Sequence, residues 1–434
     1  MASPHMEALM RYAPVLPLLA LVYSCSPQAP APNMRVATPE PSPALAPAPA
    51  PAPALAPAPA LAPAPTPAPT PAPAPAPIDA KPAFGGPTVL DRLAIYPITL
   101  AAQEDIGPVI PLEEALAKGA AEVREVGGDA APAQAPRARN QVHRAGRRPE
   151  VNNPEQGDNE PVQQEQLGGG GATVNTLVIE NKGDIPIFVL AGTVVKGGRQ
   201  DRQIGQDFIV DAKQTLPVDA FCVEQGRWTP TREGALTGGR FSAAPVLATS
   251  KVRAAGQYKK NQQEVWSEVA ETNKAHGKSA DSGTLFATLD DAEVARRMDD
   301  LSKRVDGALS AVTPGEHLVG FAWAIDGHIQ GVRWFAHRSL FALARPQLVK
   351  TAAVDALTAE AAGPAVAGAK PLPATGIAAF VADIEAQATV EKRTTDGAND
   401  NEYKETERGW GAKTVLKAKA GKKERAVAYD YLAK

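Results

Sequence analysis

The sequence predicts an α+β protein, a mainly antiparallel sheet with packed helices, preceded by a disordered Pro/Ala-rich stalk. Three observations predict it. About half of the 42 prolines fall between Ser26 and Pro87, so a polymer that cannot fold precedes one that can. Beyond Thr88, several short apolar runs are joined by turns too short for a crossover helix, which requires antiparallel strands. A block near the middle instead repeats its apolar residues at helical spacing.

Composition bounds the rest. The chain has 434 residues, two cysteines and a formal net charge of −3, with an isoelectric point near 6.1. Without the leader and the proline tract, roughly 340 residues remain, enough for one large domain or two ordinary ones. Two cysteines exclude a disulfide-stapled scaffold and any multi-cysteine zinc or iron–sulfur site. The charge balance leaves no electrostatic footprint for nucleic acid, and no such partner is expected.

Residues 1–25 read as an export signal. Arg11 supplies the positive segment, Val15 to Tyr23 the apolar run, and Ser24-Cys25 its end. The run is shorter than the roughly 20 apolar residues a membrane span needs. Leu21-Val22-Tyr23-Ser24-Cys25 resembles a bacterial lipobox, which implies a lipidated Cys25 at the mature N-terminus and attachment to a membrane through that lipid. Ser26, rather than aspartate, resembles sorting to the outer membrane. With Cys25 so used, Cys222 has no disulfide partner and is expected as a buried, inert thiol.

Residues 26–87 form the stalk. Alternating Ala-Pro fixes φ and removes N–H donors, which excludes helix and sheet. A polyproline rod of about 50 residues reaches on the order of 150 Å, the scale of an envelope layer.

The domain is placed at 88–434. Leu93 to Ile98 reads as a strand, Pro111 to Leu116 as a short helix with proline in its first turn, and Glu122 to Val126 as a strand. Residues 127–171 are rich in Gly, Pro, Asn, Gln and Arg, and are expected as a disordered insertion within the domain. Val174 to Ile179 and Ile185 to Leu190 read as a hairpin around Asn181-Lys182-Gly183-Asp184. Strands are expected at Asp207 to Val210 and Leu216 to Val223, and a helix at Glu264 to Val269. Val294, Met298, Leu301 and Val305 recur at spacings of 4, 3 and 4, an amphipathic helix. Two apolar runs between His317 and Phe335 meet at Asp326-Gly327, a strong hairpin signal. Ser339 is expected to cap the next helix, which Pro346 should kink or split. An alanine-rich, mobile segment from Glu360 to Pro373 then leads into polar strands ending at Tyr431.

Two motifs carry the candidate chemistry. In Lys196-Gly197-Gly198-Arg199-Gln200-Asp201-Arg202, the glycines permit a tight turn and close approach of a ligand, and two guanidiniums can hold a phosphate or carboxylate. A charged turn with internal Arg–Asp pairs accounts for it equally well. In Cys222-Val223-Glu224-Gln225-Gly226-Arg227-Trp228, Trp228 offers a stacking face and Arg227 a cation, beside the reading of an ion-paired strand end under a tryptophan. The candidate ligand-binding residues are Gly197, Gly198, Arg199, Gln200, Asp201, Arg202, Glu224, Arg227 and Trp228. No metal or other cofactor is expected: His317, His328 and His337 match no ligand spacing. Glu113-Glu114 and Asp290-Asp291 read as first-turn helix acids that favour the macrodipole.

The ordered run of Pro111 to Leu116, Lys196 to Arg202, Cys222 to Trp228 and Glu264-Val265-Trp266 resembles one bacterial domain family. It is the family named for its association with ADP-ribosylglycohydrolases and rhodanese-type phosphatases, and the resemblance spans about Thr88 to Leu357. It implies an association with NAD and ADP-ribose metabolism through the family's neighbours, with no established activity and no agreed catalytic residues. The expected function is a non-catalytic, envelope-anchored domain that binds a small anionic ligand or an envelope protein, facing the periplasm or the cell surface. The alternative is a hydrolase or transferase for an ADP-ribose-like or phosphorylated compound, with Arg199 and Arg202 clamping the anion and Asp201 or Glu224 as base.

Overall fold

The computed structural model describes residues 81–126, 175–232, 234–312, 314–419 and 423–434. The leader, Cys25, nearly all of the stalk and the insertion lie outside the described residues. The described residues belong to one compact unit that begins at Ala74.

The chain opens with β1 (Ala83–Phe84), β2 (Thr88–Leu90) and β3 (Leu93–Thr99), so pairing starts before Thr88. Next come β4 (Ile110–Pro111), α1 (Leu112–Ala117), β5 (Ala121–Glu125), β6 (Thr176–Asn181) and β7 (Ile187–Val189). The motif region folds as β8 (Thr193–Gly197), β9 (Arg202–Ile204), β10 (Phe208–Val210) and β11 (Thr215–Cys222). A small hairpin of β12 (Thr231–Arg232) and β13 (Ala235–Leu236) precedes β14 (Phe241–Leu247). Helices follow: α2 (Ser250–Arg253), continuing as a π-helical turn at Ala254–Tyr258, then α3 (Gln262–Ala275), α4 (Phe286–Leu289) and α5 (Ala292–Ser310). The chain ends with β15 (Leu318–Ile325), β16 (His328–Phe335), α6 (Arg338–Ala362), α7 (Ala374–Glu385), β17 (Glu391–Thr394), β18 (Asn399–Glu405), β19 (Gly409–Leu416) and β20 (Arg425–Ala433).

These elements build two main sheets. The larger runs β1-β3-β15-β16-β20-β19-β18-β17, with β2 on β3, and every pairing in it is antiparallel. One face buries Phe321, Trp323 and Phe335 against α6 and α5, and the other buries Tyr96, Trp334 and Tyr431 against α7. The smaller sheet runs β14-β8-β9-β11-β6-β5. Its outer strands meet where Arg124 bridges Arg240 and the Glu125 N–H donates to the Gly239 carbonyl at 3.3 Å. The sheet therefore rolls into a barrel around Val123, Ile179, Val195, Ile204 and Val218.

Several local expectations change. The runs at Val174 to Ile179 and Ile185 to Leu190 do not form a hairpin. β6 pairs with β5 and β11, whereas β7 joins β10 and, in parallel, β4. Asn181 redirects the chain: its amide donates to the carbonyls of Ile185, Val210 and Asp211, and its oxygen accepts the Gly183 N–H. The cap of α6 is His337, whose Nδ1 accepts the Ser339 N–H. Pro346 does not split that helix, because burial against two core clusters outweighs the cost of an interior proline, about 3 kcal/mol for the lost hydrogen bond and ring clash together. Asp291 is the cap of α5 and accepts the N–H groups of Glu293 and Val294, so Asp290 lies outside the helix. The polar C-terminal region contains a helix, α7, which buries Ile377, Phe380, Val381 and Ile384. Asp326 and Gly327 do form the β15–β16 turn, with φ of 49° and 80°.

Candidate functional site

Strand alternation brings the two motifs to one end of the barrel. Arg202 pairs in register with Val195 and Cys222, and residues directly opposite share a face. Val195 and Ile204 lie in the barrel core, so Arg202 ends that same interior. Glu125 arrives from β5, whose buried set is Ala121, Val123 and Glu125. Trp228 covers this end, with the guanidinium carbons of Arg199 and Arg202 each 5.8 Å from its ring centre.

The carboxylates here are already engaged. Asp201 is fully buried. It accepts from the Gly197 N–H at 3.0 Å, from Arg232 Nη1 at 2.5 and 2.6 Å, and from Thr284 Oγ1 at 2.7 Å, with Arg227 Nη2 at 3.5 Å. Glu224 receives Arg227 Nε on both oxygens at 3.0 Å and the Asp201 N–H at 3.0 Å. Burial pushes the Glu224 carboxyl up, but hydrogen bonds from Arg227, Ser282 and Asp201 bring it below its ordinary value. Glu125 accepts the Arg199 N–H at 2.7 Å and stands 3.7 Å from Arg199 Nε.

Arg202 is the exception. It is 2% exposed and pairs with no carboxylate among the described residues. Its contacts are Gln200 Oε1 at 3.2 Å and the Asp201 carbonyl at 3.4 Å. Its buried Nε and the buried indole Nε1 of Trp228 have no hydrogen-bond partner among the described residues. Cys222, in register with it, is raised by burial, and the pull of Arg202 does not cancel that rise.

The motif residues thus gather in one place, with divided roles. Arg227, Asp201 and Glu224 hold one another, and Arg227 also donates to the Gly197 and Gly198 carbonyls at 3.1 and 2.8 Å. The close approach that the paired glycines permit is to the protein's own strand. At Gly197 an added Cβ would stand 2.2 Å from the Arg240 carbonyl oxygen, and at Gly198 2.2 Å from the Phe241 ring. Arg199 faces Glu125, and Gln200 bridges Arg202 and the Gln225 carbonyl, so Arg202 and Trp228 are the motif residues that keep an unpartnered buried N–H among the described residues. Sequence reasoning missed Glu125, Arg232 and Thr284, which complete the cluster from outside the motifs. A charge at a core-facing position of β5 was the available signal for Glu125.

Among the described residues, no group of three or more His, Cys, Asp or Glu side chains could hold a metal ion. No described helix is long and apolar enough to cross a membrane. Comparison with curated proteins and with solved structures gives no match. Comparison with family models gives one that spans residues 81–429 and so contains both motifs, the barrel and most of the larger sheet. The chain belongs to that family, the ARG and Rhodanese-Phosphatase-superfamily-associated Protein domain, ARPP-1.

Proposed function

We propose that this protein is an envelope lipoprotein, anchored through Cys25, whose stalk presents a non-catalytic domain that binds a small anion at the end of the barrel. The observation that carries the reading is Arg202. A buried cation without a counter-charge costs several kcal/mol, and a ligand anion that supplies the charge recovers that cost. Arg199 and Gln200 stand beside it, and Trp228 offers an unused N–H.

The hydrolase or transferase reading has less support. Asp201 and Glu224, its candidate bases, are saturated by arginines and backbone N–H groups. Cys222 is buried and raised, which disfavours the thiolate a nucleophile needs.

Calorimetric titration of the full chain with inorganic phosphate, citrate, NAD and ADP-ribose tests the proposal. At least one anion should bind saturably, and Arg202→Met should abolish that binding while leaving the melting temperature unchanged or raised. Absence of binding by every anion, or binding that Arg202→Met leaves intact, overturns it.

A further inference from the structure

A groove far in sequence from the two motifs runs between α3, the end of α6 and the tip of the β15–β16 hairpin, beside α2 and its π-turn. It has two lobes, of about 450 and 710 Å3, in the size range of small-molecule sites. Ser250, Lys251, Glu268 and Gln330 line both lobes and so form the waist.

Lys251 on α2 and Glu268 on α3 are opposite charges on neighbouring helices, yet neither side chain has an ion pair or hydrogen bond among the described residues. Three other lysines on the walls are paired: Lys259 with Glu264, Lys274 with Glu271 and Lys434 with Glu405. A second observation comes from Thr249. It lines the smaller lobe and is buried, and its hydroxyl has no hydrogen-bond partner among the described residues although it holds the cap position of α2. Asp355 instead satisfies the first N–H of the helix. Its Oδ1 accepts the Ser250 N–H at 2.9 Å, and its Oδ2 accepts Ser250 Oγ at 2.5 Å and Trp323 Nε1 at 2.9 Å. The wall of the smaller lobe therefore holds an unpartnered buried hydroxyl beside a carboxylate that is already held.

We propose that this groove binds a zwitterion, a free α-amino acid or a short peptide with unblocked ends, with its carboxylate on Lys251 and its ammonium on Glu268. A simple anion would face Glu268 unpaired, a simple cation would face Lys251, and a neutral ligand would use neither. A zwitterion engages both and leaves the net charge of the groove unchanged. The Thr249 hydroxyl and the Gln330 amide suit the peptide or side-chain portion. The larger lobe, where Tyr258 and Trp410 stack at 5.7 Å, provides an apolar wall.

The test is calorimetric titration of the full chain with alanine, trialanine, N-acetylalanine and alaninamide. An unblocked ligand should bind, and blocking either end should weaken it roughly fivefold, the scale of a partly exposed ion pair. Lys251→Met should erase the difference between alanine and alaninamide, and Glu268→Gln that between alanine and N-acetylalanine. Neither side chain supports the fold, so both variants should melt like the parent. Preference between alanine and trialanine distinguishes a free amino acid from a peptide end. Blocked ligands binding as tightly as free ones, discrimination that survives both variants, or no saturable heat from either unblocked ligand overturns the proposal.

Discussion

Arg333 reaches from β16 to Asp207, in the turn between β9 and β10, where its Nη2 donates to both carboxylate oxygens at 2.8 and 2.7 Å. The pair joins the large sheet to the barrel, and both side chains are buried. Asp207 also accepts from the Ala191 N–H and from Thr414 Oγ1, while Arg333 Nη1 lies 2.9 Å from Asp430, which Arg253 and Gln257 hold as well. Burial alone would lower the Arg333 pKa, but Asp207 and Asp430 hold it well above its ordinary value.

Asp207→Asn should therefore cost about 3–5 kcal/mol, because it leaves Arg333 buried with one counter-charge. The double change Asp207→Leu with Arg333→Met should cost less than Asp207→Asn alone, since it removes charge and counter-charge together. Denaturant unfolding of the three proteins decides it. A double variant less stable than the single one would mean that packing, not charge, dominates this junction.

The network shows what the sequence could and could not reveal. Strands with clear alternation or a turn dipeptide, such as β15 and β16 around Asp326-Gly327, follow from local rules. The β6–β7 break does not, because Asn181 gathers carbonyls from Ile185, Val210 and Asp211, and two of those come from a distant strand end. At the candidate site, glycine and arginine spacing located the motif, but not which arginine lacks a partner. Asp201 is neutralised by Arg232, which no local pattern connects to it. The helix α7 was missed in the sequence, where strands are expected, although Ile377, Phe380, Val381 and Ile384 fall at spacings that fit one helical face.

Stability and binding should separate at the barrel end. Asp201→Asn should destabilise by about 3–5 kcal/mol, because Arg227 and Arg232 lose their shared buried carboxylate. Arg199→Ala removes a partly exposed, 3.7 Å pair with Glu125 and should cost less than about 1 kcal/mol. The same change should weaken an anion bound beside Arg202 by roughly 1.5–3 kcal/mol, the range for charged hydrogen bonds. A large fall in melting temperature with unaltered affinity would make Arg199 a structural residue.

His276 gives a pH dependence of known sign. Burial, with Arg297 and Lys278 nearby, holds its pKa below the ordinary 6.5. The folded protein thus resists a proton that the unfolded chain accepts. The stability contribution is complete above pH 6.5 and is lost as the pH falls from there through the depressed folded value. His276→Gln should flatten this part of the urea-midpoint profile, with little change at higher pH. A parallel profile displaced at all pH values would show that packing or the Thr358 contact, at 3.0 Å, matters instead.

Lipid attachment predicts a chemical signature at Cys25. Mass spectrometry of detergent-extracted protein should find an acylated N-terminal Cys25, and Cys25→Ser should release the protein from membranes. A free thiol at residue 25 in a soluble chain would remove the anchor from the proposed function.

The insertion should be replaceable. β5 and β6 are antiparallel neighbours, with Glu125 opposite Leu177 and Arg124 opposite Val178, so the two ends of the intervening chain meet across one strand pair. Directly opposite residues in such a pair stand about 5 Å apart, a gap that a turn of a few residues spans. The composition of 127–171, rich in Gly, Pro, Asn and Gln, is poor in the apolar side chains whose burial offsets ordering at about 1–2 kcal/mol per residue. Closing a shorter loop is also cheaper, by about 0.6 kcal/mol for each halving of length. Replacing residues 127–174 with a short Gly-Ser or Asn-Gly linker should therefore leave unfolding cooperative and keep or slightly raise the melting temperature. Because Glu125 ends β5 at the candidate site, binding of any anion found there provides a second readout, and it should persist. A broadened or lost transition would show that the excised residues pack against the barrel, and retained folding with lost binding would place part of the ligand site in the insertion.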